Sequence, residues 1–477
     1  MFNIIGRKGE PGASESSSKT RLQRFFGKLG FNYNNWAFAE VTGSYDMDSR
    51  LAYYYNYQFN DIRYFYPGGN VSLILSDAIS ALKGNKTLSY LKVRGAISKT
   101  GNVNLGAQGL ENTYGLGGGF PYGTLVGYTS SNQLRQFKYT PEFVINKEVG
   151  LELGFLKNRI MLEATAYMQD NSDQIVGVQY SGATGFTSAL LNAASFVNKG
   201  LEFDLKLTPL VKLGQVNIDV KANYTYQTNE VTKIIEGVDE LGIGNANYVI
   251  VGQPAYTFKL TDYVRDDQGR VVVDPITGYP SVDPVIKPFG HTSPDHLLGL
   301  SLNVNWKNLT FAAVADYRTG NQIYTGNWGN PMDFSGISKR SGQNHRQPFI
   351  FPNSSYWDGS KYVANTSIYT QNGGYNFWSQ AVNTSANTNY LVSGAFWKIR
   401  ELSLTYNIPS KVLGFTKNVI KGATFTISGR NLFMFLPKTN EWYDPEFANT
   451  TGNAMGVAGL DNTPSTRIFG ASLNISL

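Results

Sequence analysis

Three features of the chain predict an all-β fold of one kind, a transmembrane antiparallel β-barrel. The first is the terminal segment, where Phe469, Ala471, Leu473, Ile475 and Leu477 alternate with Gly470, Ser472, Asn474 and Ser476, leaving one face wholly apolar. A soluble sheet ending on such an edge invites aggregation, whereas closure of a barrel pairs the last strand and lets its apolar face meet lipid. The second is composition. Charged residues make up 16% of the chain, against about 25% in a typical soluble domain, while 30 Tyr, 28 Phe and 50 Gly suit aromatic girdles and bending strands. The third is rhythm: period-2 segments recur, and the connections between them alternate between very short and long. Outer-membrane barrels place short turns at the periplasm and long loops outside.

The elements follow in order. Arg21 to Tyr33 and Trp36 to Asp46 form a hairpin across Asn34 and Asn35, and Tyr64 to Leu75 and Leu88 to Ser98 are the next two strands. Val149 to Phe155, with Glu148 and Glu152 on its polar face, turns through Lys157 and Asn158 into Ile160 to Met168. Asn198 to Thr208 and Val216 to Gln227 come next, then a hairpin of Leu298 to Trp306 and Leu309 to Tyr317 across Lys307 and Asn308. Phe396 to Tyr406, Ala423 to Asn431 and Arg467 to Leu477 complete thirteen strands, each near the length of about ten residues that a tilted membrane strand needs. In Phe396 to Tyr406 the apolar positions change parity, Trp397 and Ile399 against Leu402 and Leu404, which predicts a β-bulge near Glu401.

Tyr256 to Val273 is ambiguous, and strand parity requires it to add no strands or two. The expected outer loops are Thr100 to Pro141, Asp170 to Val197, Thr228 to Ala255, Gly320 to Ala395 and Phe433 to Thr466. An odd number of strands does not close a single-chain bacterial barrel, and Met1 to Lys19 lacks the charged, apolar and small-residue progression of a secretory signal. The expectation is therefore that an odd number of strands precedes this set in a longer chain.

Composition also excludes functions. Without Cys there is no disulfide framework, thiolate nucleophile or cysteine metal site. No apolar run approaches the roughly eighteen residues of a spanning helix. The net charge of +6 is dispersed rather than gathered into the stripe expected of a nucleic-acid binder.

Five motifs carry a family resemblance. Leu91 to Asn102 (LKVRGAISKTGN) resembles a strand-to-loop signature of SusC/RagA-type TonB-dependent transporters of Bacteroidetes. Glu142 to Phe155 with Lys157-Asn158-Arg159-Ile160, Asn192-Ala193 with Asn198 to Glu202, Phe396 to Tyr406, and Gly429 to Phe433 followed by Asp444-Pro445-Glu446 are similar to later family motifs in the same order. The resemblance spans the chain from Thr20 onward. It implies the C-terminal part of a barrel of about 22 strands, with the plug and early strands absent, residues 1–20 being an extracellular loop remnant and 21–477 barrel.

What the resemblance implies for function is a multi-pass protein of the cell outer membrane, embedded in outer-membrane lipid. It would import oligosaccharides or peptides under TonB coupling, made through the absent N-terminal region, with a SusD-like surface lipoprotein as lid. Nucleic acid is not among the implied partners, and neither an enzymatic role nor a cofactor is expected. A passive outer-membrane pore, an inactive truncated remnant of such a transporter and a secreted glycan-binding adhesin are the alternatives.

Within the loops, the candidate substrate or lid contacts are Trp328, Tyr356, Trp357, Tyr375 and Trp378, with Trp442 and Tyr443 beside Asp444-Pro445-Glu446. Aromatic rings pack on the C–H faces of sugars while neighbouring amides bond hydroxyls. The same rings could instead pack the loop against itself or against a lid. Tyr362, Tyr369 and Phe377 belong to the same group. His291 to His296 matches no established zinc spacing, and Asp266, Asp267, Gly269 and Asp274 depart from the EF-hand pattern, so both read as turns. Glu40, Glu148, Glu152, Glu163, Glu202, Asp204 and Asp219, with Lys92, Arg94, Lys206 and Lys221, are expected to line the lumen.

Overall fold

The structure, a computed structural model, describes residues 15, 17–52, 59–122, 125–136, 138–179, 181–416, 419–441, 444–448, 452–459 and 465–477. Its frame is a wall of thirteen strands. These are β1 (Leu22–Tyr33), β2 (Ala37–Asp48), β3 (Arg63–Ile74), β4 (Leu88–Asn102), β5 (Glu142–Phe155), β6 (Ile160–Gln179), β7 (Ser188–Leu213), β8 (Val216–Lys233), β9 (His296–Trp306), β10 (Leu309–Thr319), β11 (Phe396–Ile408), β12 (Gly422–Phe435) and β13 (Ile468–Ser476). They pair antiparallel in sequence order, and all thirteen correspond to the strands predicted from alternation. At the two ends of the path, β1 and β13 each have one neighbour among the described residues.

Register sorts the wall into two faces. One row across it reads Val93, Leu151, Ala164, Phe203, Tyr224, Leu298, Tyr317, Trp397 and Phe435. The adjacent row, one residue along each strand, reads Lys92, Glu152, Glu163, Asp204, Asn223, Gly299, Asp316 and Lys398. Because side chains alternate strictly across a strand, an apolar belt and a charged face stand back to back. That is the partition a barrel between lipid and a polar lumen requires.

The turns have the chemistry their geometry demands. Asn34 and Asn35 sit at φ 49° and 58°, a left-handed conformation that Asn tolerates better than most residues. The predicted bulge falls at Arg400: β10 and β11 pair Val314 with Glu401 but Ala315 with Ile399, so Arg400 faces no partner. The same skip appears toward β12.

Three expected loops are largely strand. β6 and β7 stay paired up to Gln179 and Ser188, Thr228 to Ala255 contains the pair Glu240–Gly244 and Asn247–Ile250, and Thr100 to Pro141 contains the hairpin Tyr114–Tyr122 and Leu125–Ser130. The physical reason is visible in β6 and β7, where Ile175, Val178, Ala189, Ala193 and Ala194 are all buried. Chain packed on both faces has no need to alternate, so the period-2 signature disappears.

Above the wall the long connections build a cap. Glu240–Gly244, Asn247–Ile250, Thr257–Tyr263 and Val282–His291 form a four-stranded antiparallel sheet. Val271–Val272, Ser354–Trp357 and Tyr362–Ala364 form a smaller one. The ambiguous segment Tyr256 to Val273 thus contributes to cap sheets and adds no strand to the wall, as parity requires. Phe258, Leu260, Phe377 and Tyr390, all nearly inaccessible, place a well-packed apolar core in the cap.

Candidate functional site: the charged wall and the latched cap

The charged face sets three carboxylates side by side, since Glu152, Glu163 and Asp204 are register partners on β5, β6 and β7. Like charges directly opposite are destabilising, and β4 supplies the compensation. Lys92 Nζ donates to Glu152 Oε1 at 2.9 Å, and Arg94 Nη2 donates to Glu163 Oε1 and Thr165 Oγ1 at 2.8 Å each. Gly150 makes room for this guanidinium, because a Cβ there would lie 2.7 Å from Arg94 Nε. Glu40 receives Lys28 Nζ at 3.4 Å. Farther round, Lys206 and Lys221 are themselves register partners and both are exposed.

At β10 and β11 the charged face meets the outer loop. Arg400, freed from the ladder by the bulge, donates from Nε and Nη2 to the two oxygens of Asp316, at 2.6 Å each, and also holds Glu446. Lys398, almost wholly buried, donates to Asp444 at 2.7 and 2.8 Å and to Glu446. Arg318 adds a longer contact to Glu446 at 3.6 Å. Burial would raise the Glu446 carboxyl, but hydrogen bonds from Arg400 and Lys398 outweigh it and hold it at about 2. Asp444 also caps the short helix Pro445–Phe447 by accepting from Glu446 N–H at 3.1 Å. The Asp444-Pro445-Glu446 motif is therefore a latch that pins the last outer loop to the wall. Lys398, Arg400 and Asp316 as its receivers were not singled out in the sequence, where the only signal was the phase change.

The candidate rings divide by environment. Phe377 is fully buried and makes edge contacts with Phe349, Tyr279 and Trp378 at 5.0, 5.3 and 5.0 Å between ring centroids. Tyr356 and Trp378 pack against that cluster, and Trp328, half-buried, lies on the helix Gly326–Phe334. Trp357 and Tyr362 instead face each other across a hairpin at 5.1 Å, 49% and 41% exposed. The turn beneath them is ordered by Asp358, which accepts from Ser360 N–H and Lys361 N–H. Tyr369 and Tyr375 are also exposed. Trp442 and Tyr443 lie outside the described residues.

A polar network that sequence reasoning did not find holds the cap together. Tyr390 Oη donates to Asp333 at 3.1 Å, Arg340 Nη2 donates to the Asn389 carbonyl at 3.0 Å, and Asn389 Nδ2 donates to Tyr263 Oη at 2.7 Å. Tyr263 Oη in turn donates to Asn383 at 2.7 Å. Burial pushes the Asp333 carboxyl above its ordinary value, with the Arg340 charge pulling it back. These partners are up to 126 residues apart in sequence, so no local pattern could have revealed them.

No protein-family model matches the chain. Two TonB-dependent receptors of Formosa agariphila are each 23% identical to it, over 96% and 91% of this chain and 46% and 44% of theirs. Among solved structures, the RagAB peptide transporter superposes with a TM-score of 0.74 at 19% identity, covering 98% of this chain and 49% of that one. The RagAB peptide importer in its open-open state gives 0.72. The chain thus spans about half the length of the relatives it matches. In sequence the chain is similar to TonB-dependent receptors, and its wall is built like that of the RagAB peptide transporter.

Proposed function

We propose that the chain works as part of an outer-membrane transporter that takes up oligosaccharides or peptides under TonB coupling, with a SusD-like lipoprotein seated over the cap. The observation that carries this reading is the back-to-back apolar and charged rows of the wall beneath a latched cap. Lipid is the medium that suits the first row, and a solvated path suits the second. The RagAB relatives supply the precedent for a peptide cargo and for a companion subunit.

Within the cap, the Trp357 and Tyr362 pair is the surface offered to cargo or lid, since its rings are ordered yet open. Trp378 and Tyr356 act as packing. Cell fractionation of the native host should place the protein in the outer membrane, and recovery as a detergent-free soluble monomer would refute that placement. Binding of oligosaccharide and peptide panels, followed by calorimetry, should weaken about thirtyfold with Trp357→Ala, the roughly 2 kcal/mol that marks an interface hot spot. Unchanged affinity for every ligand that binds would remove Trp357 from the site.

A further inference from the structure

Six connections join the strands at the end of the wall opposite the cap: 34–36, 75–87, 156–159, 214–215, 307–308 and 409–421. Their charge is lopsided. Lys83 and Lys86 follow β3, Lys157 and Arg159 occupy the β5–β6 turn, and Lys212 lies at the end of β7. Lys307 makes the β9–β10 turn, and Lys411 and Lys421 flank the β11–β12 connection. Against these eight basic side chains, the described residues of the rim offer one carboxylate, Asp77. That surplus exceeds the +6 of the entire chain, so the rest of the molecule is slightly acidic.

Two further features give the rim a chemistry. All eight basic side chains are exposed, and none lies within 4 Å of a carboxylate among the described residues, whereas Lys92 and Lys147 on the wall each hold one. Beside them stand exposed apolar groups: Leu156 next to Lys157, Leu213 next to Lys212, Trp306 next to Lys307, and Val412 and Phe415 after Lys411. Leu213 is 74% exposed and Phe415 81%. Side chains of this kind enter the boundary between headgroups and acyl chains, while lysine stems run along the apolar surface and bring their ammonium groups to the phosphates.

We propose that the short-turn rim is a collar that binds anionic phospholipid headgroups of the leaflet it contacts. The proposal rests on the membrane placement given under Proposed function. The distribution of charge favours a lipid surface over an acidic protein. From β4 to β12 the basic groups span eight strand spacings, an arc of about 40 Å at ~4.8 Å each, and they are repeated turn by turn rather than gathered in one footprint. A continuous leaflet matches that arc at every turn.

The test uses the full chain incorporated into vesicles of phosphatidylcholine alone and of phosphatidylcholine with 30% phosphatidylglycerol, with the composition as a set condition. Spin-labelled phosphatidylglycerol and phosphatidylcholine report which lipid the protein immobilises. The wild type should prefer phosphatidylglycerol several-fold, and the preference should shrink as salt is raised. The combined variant Lys157→Gln, Lys212→Gln, Lys307→Gln and Lys411→Gln should lose most of that preference and immobilise the two lipids nearly equally, since each basic group near an anionic surface adds to the attraction. The matching four Lys→Arg changes should keep it. Equal immobilisation of both lipids by the wild type, or a Gln variant that retains the preference, overturns the collar while leaving membrane placement intact. Failure of the wild type to enter pure phosphatidylcholine vesicles in a carbonate-resistant form would overturn the placement, and the collar with it.

Discussion

Replacing Glu446 by Gln breaks the latch without leaving a buried charge alone. Lys398 keeps Asp444 and Arg400 keeps Asp316, so the cost is the loss of Glu446's own interactions rather than the larger penalty of an orphaned ion. The carboxyl sits at about 2 against an ordinary 4.5, and at ~1.4 kcal/mol per pH unit that difference is worth about 3 kcal/mol at most. Solvent reaches the side chain, which is 22% exposed, and screening leaves about 2 kcal/mol. Since ~1.4 kcal/mol is a factor of ten, amides that exchange by opening of the last outer loop should exchange about thirtyfold faster in Glu446→Gln.

Hydrogen exchange read by mass spectrometry in detergent is the assay, with Phe447 N–H and Ala458 N–H, bonded to Asp444 O and Tyr324 O, as reporters. The sign follows from the lowered carboxyl. Its stabilisation is complete above the unfolded value of 4.5 and is lost as pH falls toward about 2. After correction for intrinsic exchange, wild-type protection of this loop should therefore decline across that window, while Glu446→Gln should be nearly flat. Equal protection of variant and wild type at neutral pH would refute the latch.

Other expectations follow from the same geometry. Phe377→Ala empties the centre of the cap's aromatic cluster and should cost about 3–5 kcal/mol, seen as loss of exchange protection in the cap with the wall unaffected. Gly101→Val should cost about 1–3 kcal/mol by overpacking, because its Cβ would meet the Tyr66 ring. Gly27→Val, with open space around it, should be neutral in the same thermal unfolding assay, and a reversed order would count against the register of β1 to β4. Asp333 predicts a pH effect of opposite sign to that of Glu446. With its carboxyl raised by burial, its contribution is greatest below the unfolded value of 3.8 and is lost as pH rises through the raised value. Asp333→Asn should abolish that slope in cap exchange, and a slope unchanged by the substitution would sink the assignment.

The wall was legible in the sequence because its rules are local. Alternation, strand length and two-residue turns such as Lys307-Asn308 are read within a window of about ten residues, and each found its counterpart. The upper parts of β6 and β7 were not legible because Ile175, Val178 and Ala189 are buried under the cap, and covering both faces removes the alternation. The cap itself was hidden by distance along the chain. Tyr263 reaches Asn383 and Asn389 across 120 and 126 residues, and nothing near Tyr263 announces the partners. The rings of the largest loop were visible as a group, but separating buried Phe377 from exposed Trp357 required the packing.

The phase change in β11 shows how an irregularity in a local pattern can point to a long-range contact. A perfectly alternating strand would have sent side chain 400 to the same face as Lys398 and would have kept it in the ladder opposite β10. The skip between Ile399 and Glu401 takes Arg400 out of that ladder and lets one guanidinium bridge Asp316 on the wall to Glu446 on the loop. Removing the bulge would therefore do more than shift the parity of Leu402 and Leu404. It would place Arg400 in the ladder opposite Val314, on the face of Lys398, and turn Leu402 and Leu404 from the apolar belt to the charged face. The same skip thus returns the apolar side chains of β11 to the belt below and leaves Arg400 without a cross-strand partner at the point where its guanidinium spans Asp316 and Glu446.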